Sequence, residues 1–102
     1  MSSTLLVKTL PSDTDYIIIS LTGENRIEFD KKRALVETQL KLSPSWGKSS
    51  ITHHYSGITG NVYYVAHYAT DIETVSILKL SHPEIKVVRM WPSQLEFICF
   101  TR

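Results

Sequence analysis

Cysteine is nearly missing from this sequence of 102 residues: Cys99 is the single thiol. One thiol closes no intramolecular disulfide, so a disulfide framework is excluded and a reducing cytoplasm is the expected setting. A dominant charge is missing too. Eleven basic and ten acidic side chains leave +1 at pH 7, which excludes a strongly basic nucleic-acid arm and an acidic, DNA-mimicking surface. No apolar run approaches the roughly 18–20 residues of a membrane span, so no membrane association is expected. The opening Met1-Ser2-Ser3-Thr4-Leu5-Leu6-Val7 lacks the charged region and long apolar core of a signal peptide. Linkers, charge blocks and repeats are lacking as well. The length suits one domain, 1–102, and is too short for eight βα units or a two-half dinucleotide-binding fold.

What the chain does contain is alternating secondary-structure patterning. Thr4 to Leu10 is apolar enough for a short strand, ended by Pro11-Ser12-Asp13. Tyr16-Ile17-Ile18-Ile19-Ser20-Leu21 is β-branched and apolar on both faces, as in a central strand. Thr22-Gly23-Glu24-Asn25 is turn chemistry, and Arg26-Ile27-Glu28-Phe29 alternates as a short return strand or an approach to a helix. Asp30 is the expected N-cap of a helix from Lys31 to Leu42, with Leu35, Val36 and Leu40 on one face. Phe29 and Ala34 sit where a hydrophobic staple would form, and Ser43-Pro44-Ser45 stops the helix. Ser50–Tyr55 and Val62–Tyr68 flank Gly57-Ile58-Thr59-Gly60-Asn61, the clearest hairpin in the chain. Thr70-Asp71-Ile72-Glu73 matches a capping box with Thr70 as cap, followed by a helix to about Leu80 that buries Ile72, Val75, Leu78 and Ile77. His82-Pro83 ends it. Ile85 to Trp91 and Leu95 to Phe100 complete the strands.

This order predicts an α+β fold with a ferredoxin-like β-α-β-β-α-β core. One antiparallel sheet would carry both helices on one face, leave the other face free, and gain extra strands from the termini. The same order resembles that of small CRISPR-associated nucleases and their toxin relatives. That resemblance implies a metal-binding acidic residue at the end of the first core strand. Here that position reads Ser20-Leu21-Thr22, and Asp15 lies at the opposite end, so a metal-dependent nuclease ranks third among the functional readings.

Histidines and tyrosines gather in the hairpin: His53, His54, Tyr55, Tyr63, Tyr64, His67 and Tyr68. A metal site fails on geometry. Neighbouring strand residues such as His53 and His54 point to opposite faces, and with His54 opposite Tyr63, His67 lies about 13 Å further along. Zinc needs ligands at about 2 Å. No metal or other cofactor is therefore expected. A second use of the same residues is a stacking platform for single-stranded nucleic acid, with Thr52, His54, Tyr63, Val65 and His67 on one face and Lys86 and Arg89 supplying charge. No Lys/Arg-Gly-aromatic RNA-binding motif accompanies it, and +1 gives little phosphate attraction.

Catalytic sets are equally sparse. Cys99 sits in an apolar strand, where a thiol acts as a small hydrophobe. The serines lack a nucleophile elbow. Gly57-Ile58-Thr59-Gly60 lacks the Gly-Lys-Ser/Thr ending of a phosphate cradle. Glu24, Glu28 and Asp30 read as a solvated polar edge. Arg26, Lys31, Lys32, Arg33, Lys41 and Lys48 give the first helix a modestly basic, solvated face. Trp46 and Trp91 flank turns and act either as core caps or as exposed interface anchors.

The leading expectation is a non-enzymatic interaction domain that binds and modulates or inhibits another macromolecule, foremost a protein. Its size and plain composition suit a phage- or virus-encoded regulator of a host system. Binding through a sheet edge also allows a homodimer, because edges present unpaired backbone groups. A single-stranded RNA- or DNA-binding protein is the alternative.

Overall fold

The computed structural model describes residues 3–7, 16–49, 51–88 and 97–101. Among them, seven strands and two helices follow in the order β1 (Ser3–Val7), β2 (Ile17–Gly23), α1 (Arg26–Leu40), β3 (Ser45–Lys48), β4 (Thr52–Tyr55), β5 (Val62–Thr70), α2 (Ile72–Ser81), β6 (Lys86–Val88) and β7 (Phe97–Thr101). The strands form one antiparallel sheet in the order β1-β7-β3-β5-β2-β6, and β4 pairs with β5 beyond the end of β3. The class is α+β. The strand order departs from that of a four-stranded ferredoxin-like sheet because β7 docks on β3 and carries β1 with it. Trp46-Gly47, which follow the helix stop Ser43-Pro44-Ser45, lie within the strand that makes this docking possible.

Side-chain alternation sets the core. Ile19 and Leu21 of β2, Ala66 and Tyr68 of β5, and Trp46 of β3 share one cluster with Phe29, Val36 and Leu40 of α1 and Val75 and Leu78 of α2. Both helices thus pack on the same sheet face. Each fully buried Phe, Leu or Val contributes about 1.5–3 kcal/mol of transfer free energy relative to exposure.

The helices begin and face differently from their sequence expectations. The N-cap of α1 is Asn25, whose Oδ1 accepts from Ile27 N–H at 2.9 Å and Glu28 N–H at 3.2 Å. Arg26–Phe29 is therefore helical. Asp30 lies inside the helix, where its carboxylate accepts from Arg26 Nε and Arg33 NH2. The inward face holds Phe29, Val36 and Leu40, while Leu35 is exposed at 61%. Ala34 is also exposed, so it forms no staple with buried Phe29. The cap of α2 is Asp71. Thr70 ends β5 in full burial, while Ile72 and Ile77 are exposed.

The sheet's second face is not free along its whole length. The register aligns Ile18, Ala69, Gly47 and Cys99 in one row across four strands. Ile18, Ala69, Cys99 and the neighbouring Phe97 are buried together, with Tyr16 and Val88 packed against them. Gly47 makes that packing feasible: a Cβ there would stand 3.1 Å from Cys99 Sγ and 3.4 Å from the Ile98 carbonyl oxygen. Burial also pushes the Cys99 thiol pKa up, so this sulfur stays protonated and inert.

Candidate interaction surface

Among the described residues the β4–β5 hairpin extends beyond β2. Pairing of β2 with β5 ends at Gly23 opposite Tyr64, whereas β4 accompanies β5 out to Tyr55 opposite Val62. The loop closes through Ser56 N–H to Asn61 O at 2.9 Å and Gly60 N–H to Ser56 O at 2.8 Å. Gly60 adopts φ +69°, a left-handed value that suits glycine. Lys48 faces Tyr68 and Thr52 faces Val65, so the chain from β3 to β4 carries one residue more than the facing part of β5. Ser49 N–H donates to His67 O in this interval.

This offset in register sets which side chains share a face. On the helix side, His53 meets Tyr64 edge-on at 4.8 Å between ring centroids. Tyr64 in turn stacks on Phe29, and the Arg26 guanidinium lies 5.4 Å from its ring centroid. These contacts anchor the base of the hairpin to α1. On the second face, His54 stacks on Tyr63 at 5.1 Å with rings 17° apart. Val65 and His67 follow along β5, and Ser20 and then Lys86 extend the row from His67 across two strands.

Of the residues expected to form a binding surface, His54, Tyr63, His67 and Lys86 thus lie on one sheet face. They do not form a continuous platform. One face of the Tyr63 ring is covered by His54, His67 is half-buried, and Lys86 sits two strands from His67. Trp46 belongs elsewhere. It lies on the helix side, is 5% exposed and stacks on Phe100 at 4.6 Å, so it is core rather than an interface anchor. Arg89 and Trp91 lie outside the described residues, as do Asp15 and the expected strand residues 8–10. Burial, and then the neighbouring His54, hold the His67 imidazole below its ordinary pKa. Its Nδ1 is buried without a hydrogen-bond partner among the described residues. A neutral ring at that position is the physical consequence.

Two polar clusters brace the fold, one on the helix side of β5 and one at the far end of the sheet. Glu37 of α1 accepts from the Tyr68 hydroxyl at 3.2 Å and from Lys48 Nζ at 3.3 Å, and lies 3.7 Å from Arg33. Burial and then the Glu37 charge push the Tyr68 hydroxyl pKa upward, so it remains a donor. At the opposite end of the sheet, Asp71 Oδ1 receives the hydroxyls of Thr74 at 2.6 Å, Ser43 at 2.9 Å and Thr70 at 3.1 Å. Burial raises the Asp71 pKa, but the hydrogen bonds from Thr74, Ser43 and Thr70 outweigh it and hold the carboxyl at about 2. A cavity of about 550 Å³ opens beside this hub, lined by Tyr16, Pro44, Ser45 and Glu73 among others. The carboxylate is already saturated by hydroxyls, and neither a histidine nor a lysine lines the cavity among the described residues. The hub ties the α1–β3 turn to the start of α2.

Sequence reasoning from residue types missed an exposed apolar group among the described residues, at the end of the arm. Tyr55 is 70% and Ile58 98% exposed, and Val62 and Tyr63 are exposed beside them. A usable signal was present: from Ser49 to Thr70 there is no Lys, Arg, Asp or Glu. Among the described residues, no group of three or more His, Cys, Asp or Glu is placed to hold a metal ion, and no helix is long and apolar enough to cross a membrane. Comparison with protein-family models, with curated proteins and with solved structures finds no match.

Proposed function

We propose that this chain is a small non-enzymatic interaction domain that binds another protein and modulates or inhibits it, with the β4–β5 hairpin as its contact arm. In this reading a ferredoxin-like core runs from β2 to β6, and β7 and β1 are strands added to it. The observation that carries the proposal is the uncharged arm, which holds Tyr55, Ile58, Val62 and Tyr63 in solvent at the far end of a braced sheet. Exposed apolar and aromatic side chains grouped on a projecting element favour a protein partner, since such residues dominate interface energetics once they are desolvated. Single-stranded nucleic acid is the weaker reading. The arm carries no formal charge to neutralise phosphate, and the ring of Tyr63 is partly used by His54.

Two measurements separate these readings. Gel shifts with random RNA and DNA oligonucleotides are expected to show no complex at moderate salt. Nanomolar binding that is lost in Tyr63→Ala would reverse the order. Affinity capture from the native cytosol is expected to recover a stoichiometric protein partner with the unaltered chain and to lose it with Ile58→Asp. Recovery unchanged by Ile58→Asp would place the contact away from the arm.

A further inference from the structure

The outer edge of the arm has a second use that does not involve its tip. Among the described residues β4 pairs with β5 alone, and all four of its residues are exposed. The Ser56 N–H to Asn61 O bond fixes which backbone groups face inward. Antiparallel pairs alternate between hydrogen-bonded and open, so His54 points its N–H and C=O toward β5 while His53 and Tyr55 point theirs outward. Sheet edges are usually guarded by lysine or proline, or by an inward-pointing charge. None occurs between Ser49 and Thr70. Among the described residues the edge is thus a short pairing template without a guarding lysine, proline or inward charge.

We propose that β4 pairs antiparallel with β4 of a second copy of this chain, about a two-fold axis normal to the sheet. Such an axis keeps each sheet face on its own side. With His53 and Tyr55 as the outward-facing residues, one register uses all their backbone groups: His54 opposite His54 of the second copy, flanked by two pairs of His53 opposite Tyr55. That register makes four backbone hydrogen bonds. It also extends the ring contacts already present. The stacked Tyr63 and His54 continue into His54 and Tyr63 of the second copy, and Tyr64 and His53 continue into its Tyr55. Cross-strand aromatic neighbours of this kind stabilise pairing. A second copy is favoured over a charged partner strand because the arm offers no formal charge to select one, and two identical arms meet without like-charge repulsion.

Sedimentation of the full chain over a concentration series into the high micromolar range tests this. The unaltered chain is expected to dimerise. His54→Lys alone and His54→Glu alone are each expected to sediment as monomers, because they set like charges directly opposite one another. An equimolar mixture of the two variants should restore the dimer, at least about tenfold tighter than either alone. His53→Pro, which removes one outward N–H at an edge where proline is tolerated, should also give a monomer with an unchanged circular dichroism spectrum. A monomeric unaltered chain, a dimer that persists in both single variants, or a mixture that fails to recover would each overturn the proposal. Ile58 plays no part here, so the outcome is separable from capture of a foreign partner through the tip.

Discussion

Replacing Asp71 with alanine tests the hub that joins the α1–β3 turn to α2. The substitution removes the N-cap oxygen that accepts from Thr74 N–H at 3.4 Å, a loss typically of about 1 kcal/mol. It also removes the acceptor of three hydroxyls. Ser43 keeps an alternative in the Ser45 carbonyl at 2.9 Å, and Thr70 keeps one in Ser43 Oγ at 3.3 Å. Thr74 is left without an acceptor at 7% exposure, which costs about 1–3 kcal/mol. The sum is about 2–4 kcal/mol. The lowered Asp71 pKa, which arises from the same hydrogen bonds, gives a comparable figure. A carboxyl held at about 2 against an ordinary 3.8 corresponds to about 2 kcal/mol, after some discount for screening by solvent. Urea denaturation at pH 7 should therefore show a midpoint shift equivalent to about 2–3 kcal/mol with an unchanged slope. Asp71→Asn, which keeps a carbonyl oxygen, should lose about half as much. The pH dependence has a definite sign. The folded pKa lies below the unfolded one, so the stabilisation is complete above pH 3.8 and disappears as pH falls through about 2. A variant Asp71→Ala within about 0.5 kcal/mol of the unaltered chain at pH 7 would refute the role given to this hub.

Three further outcomes follow from other parts of the molecule. His67 has its folded pKa below the unfolded value, so it favours the native state when neutral. Stability should fall as pH drops below about 6.5, and His67→Phe should flatten that part of the profile measured by thermal unfolding. Gly47→Ala should destabilise by about 1–3 kcal/mol, through the contact of its new methyl with Cys99 Sγ. In a double-mutant cycle, Cys99→Ala should recover part of that loss, and strict additivity would contradict the close approach. Glu37→Ala should cost about 2–3 kcal/mol in denaturant unfolding, because it strands the Tyr68 hydroxyl and leaves Arg33 and Lys48 without their shared carboxylate.

The α+β class was legible because its signals are strong and local. The apolar run Ile17-Ile18-Ile19, the glycine-bearing loop between two β-rich stretches, and the helix-ending His82-Pro83 each restrict the backbone directly. The start of α1 was not legible, because Asn25 and Asp30 are both competent caps by residue type. What decides between them is the pull of Phe29 into the core and the pairing of Asp30 with Arg26 and Arg33. Strand β3 was hidden by Pro44 and Gly47, which punctuate loops locally. Here Gly47 serves close packing against β7, a contact made with residues half the chain away. The face-sharing of His54, Tyr63 and His67 could be reasoned from period-two alternation once His54 was placed opposite Tyr63. The exposure of the arm could not, since tyrosine and valine suit buried and open strands equally.

The most direct test of the arm as contact surface is site-specific photo-crosslinking in cells that express the protein natively. A photoreactive side chain replacing Ile58 at the tip should give one discrete protein adduct, and the same group replacing Lys79 on α2 should give none. An adduct with nucleic acid at Ile58, or a protein adduct formed equally at both positions, would contradict the account.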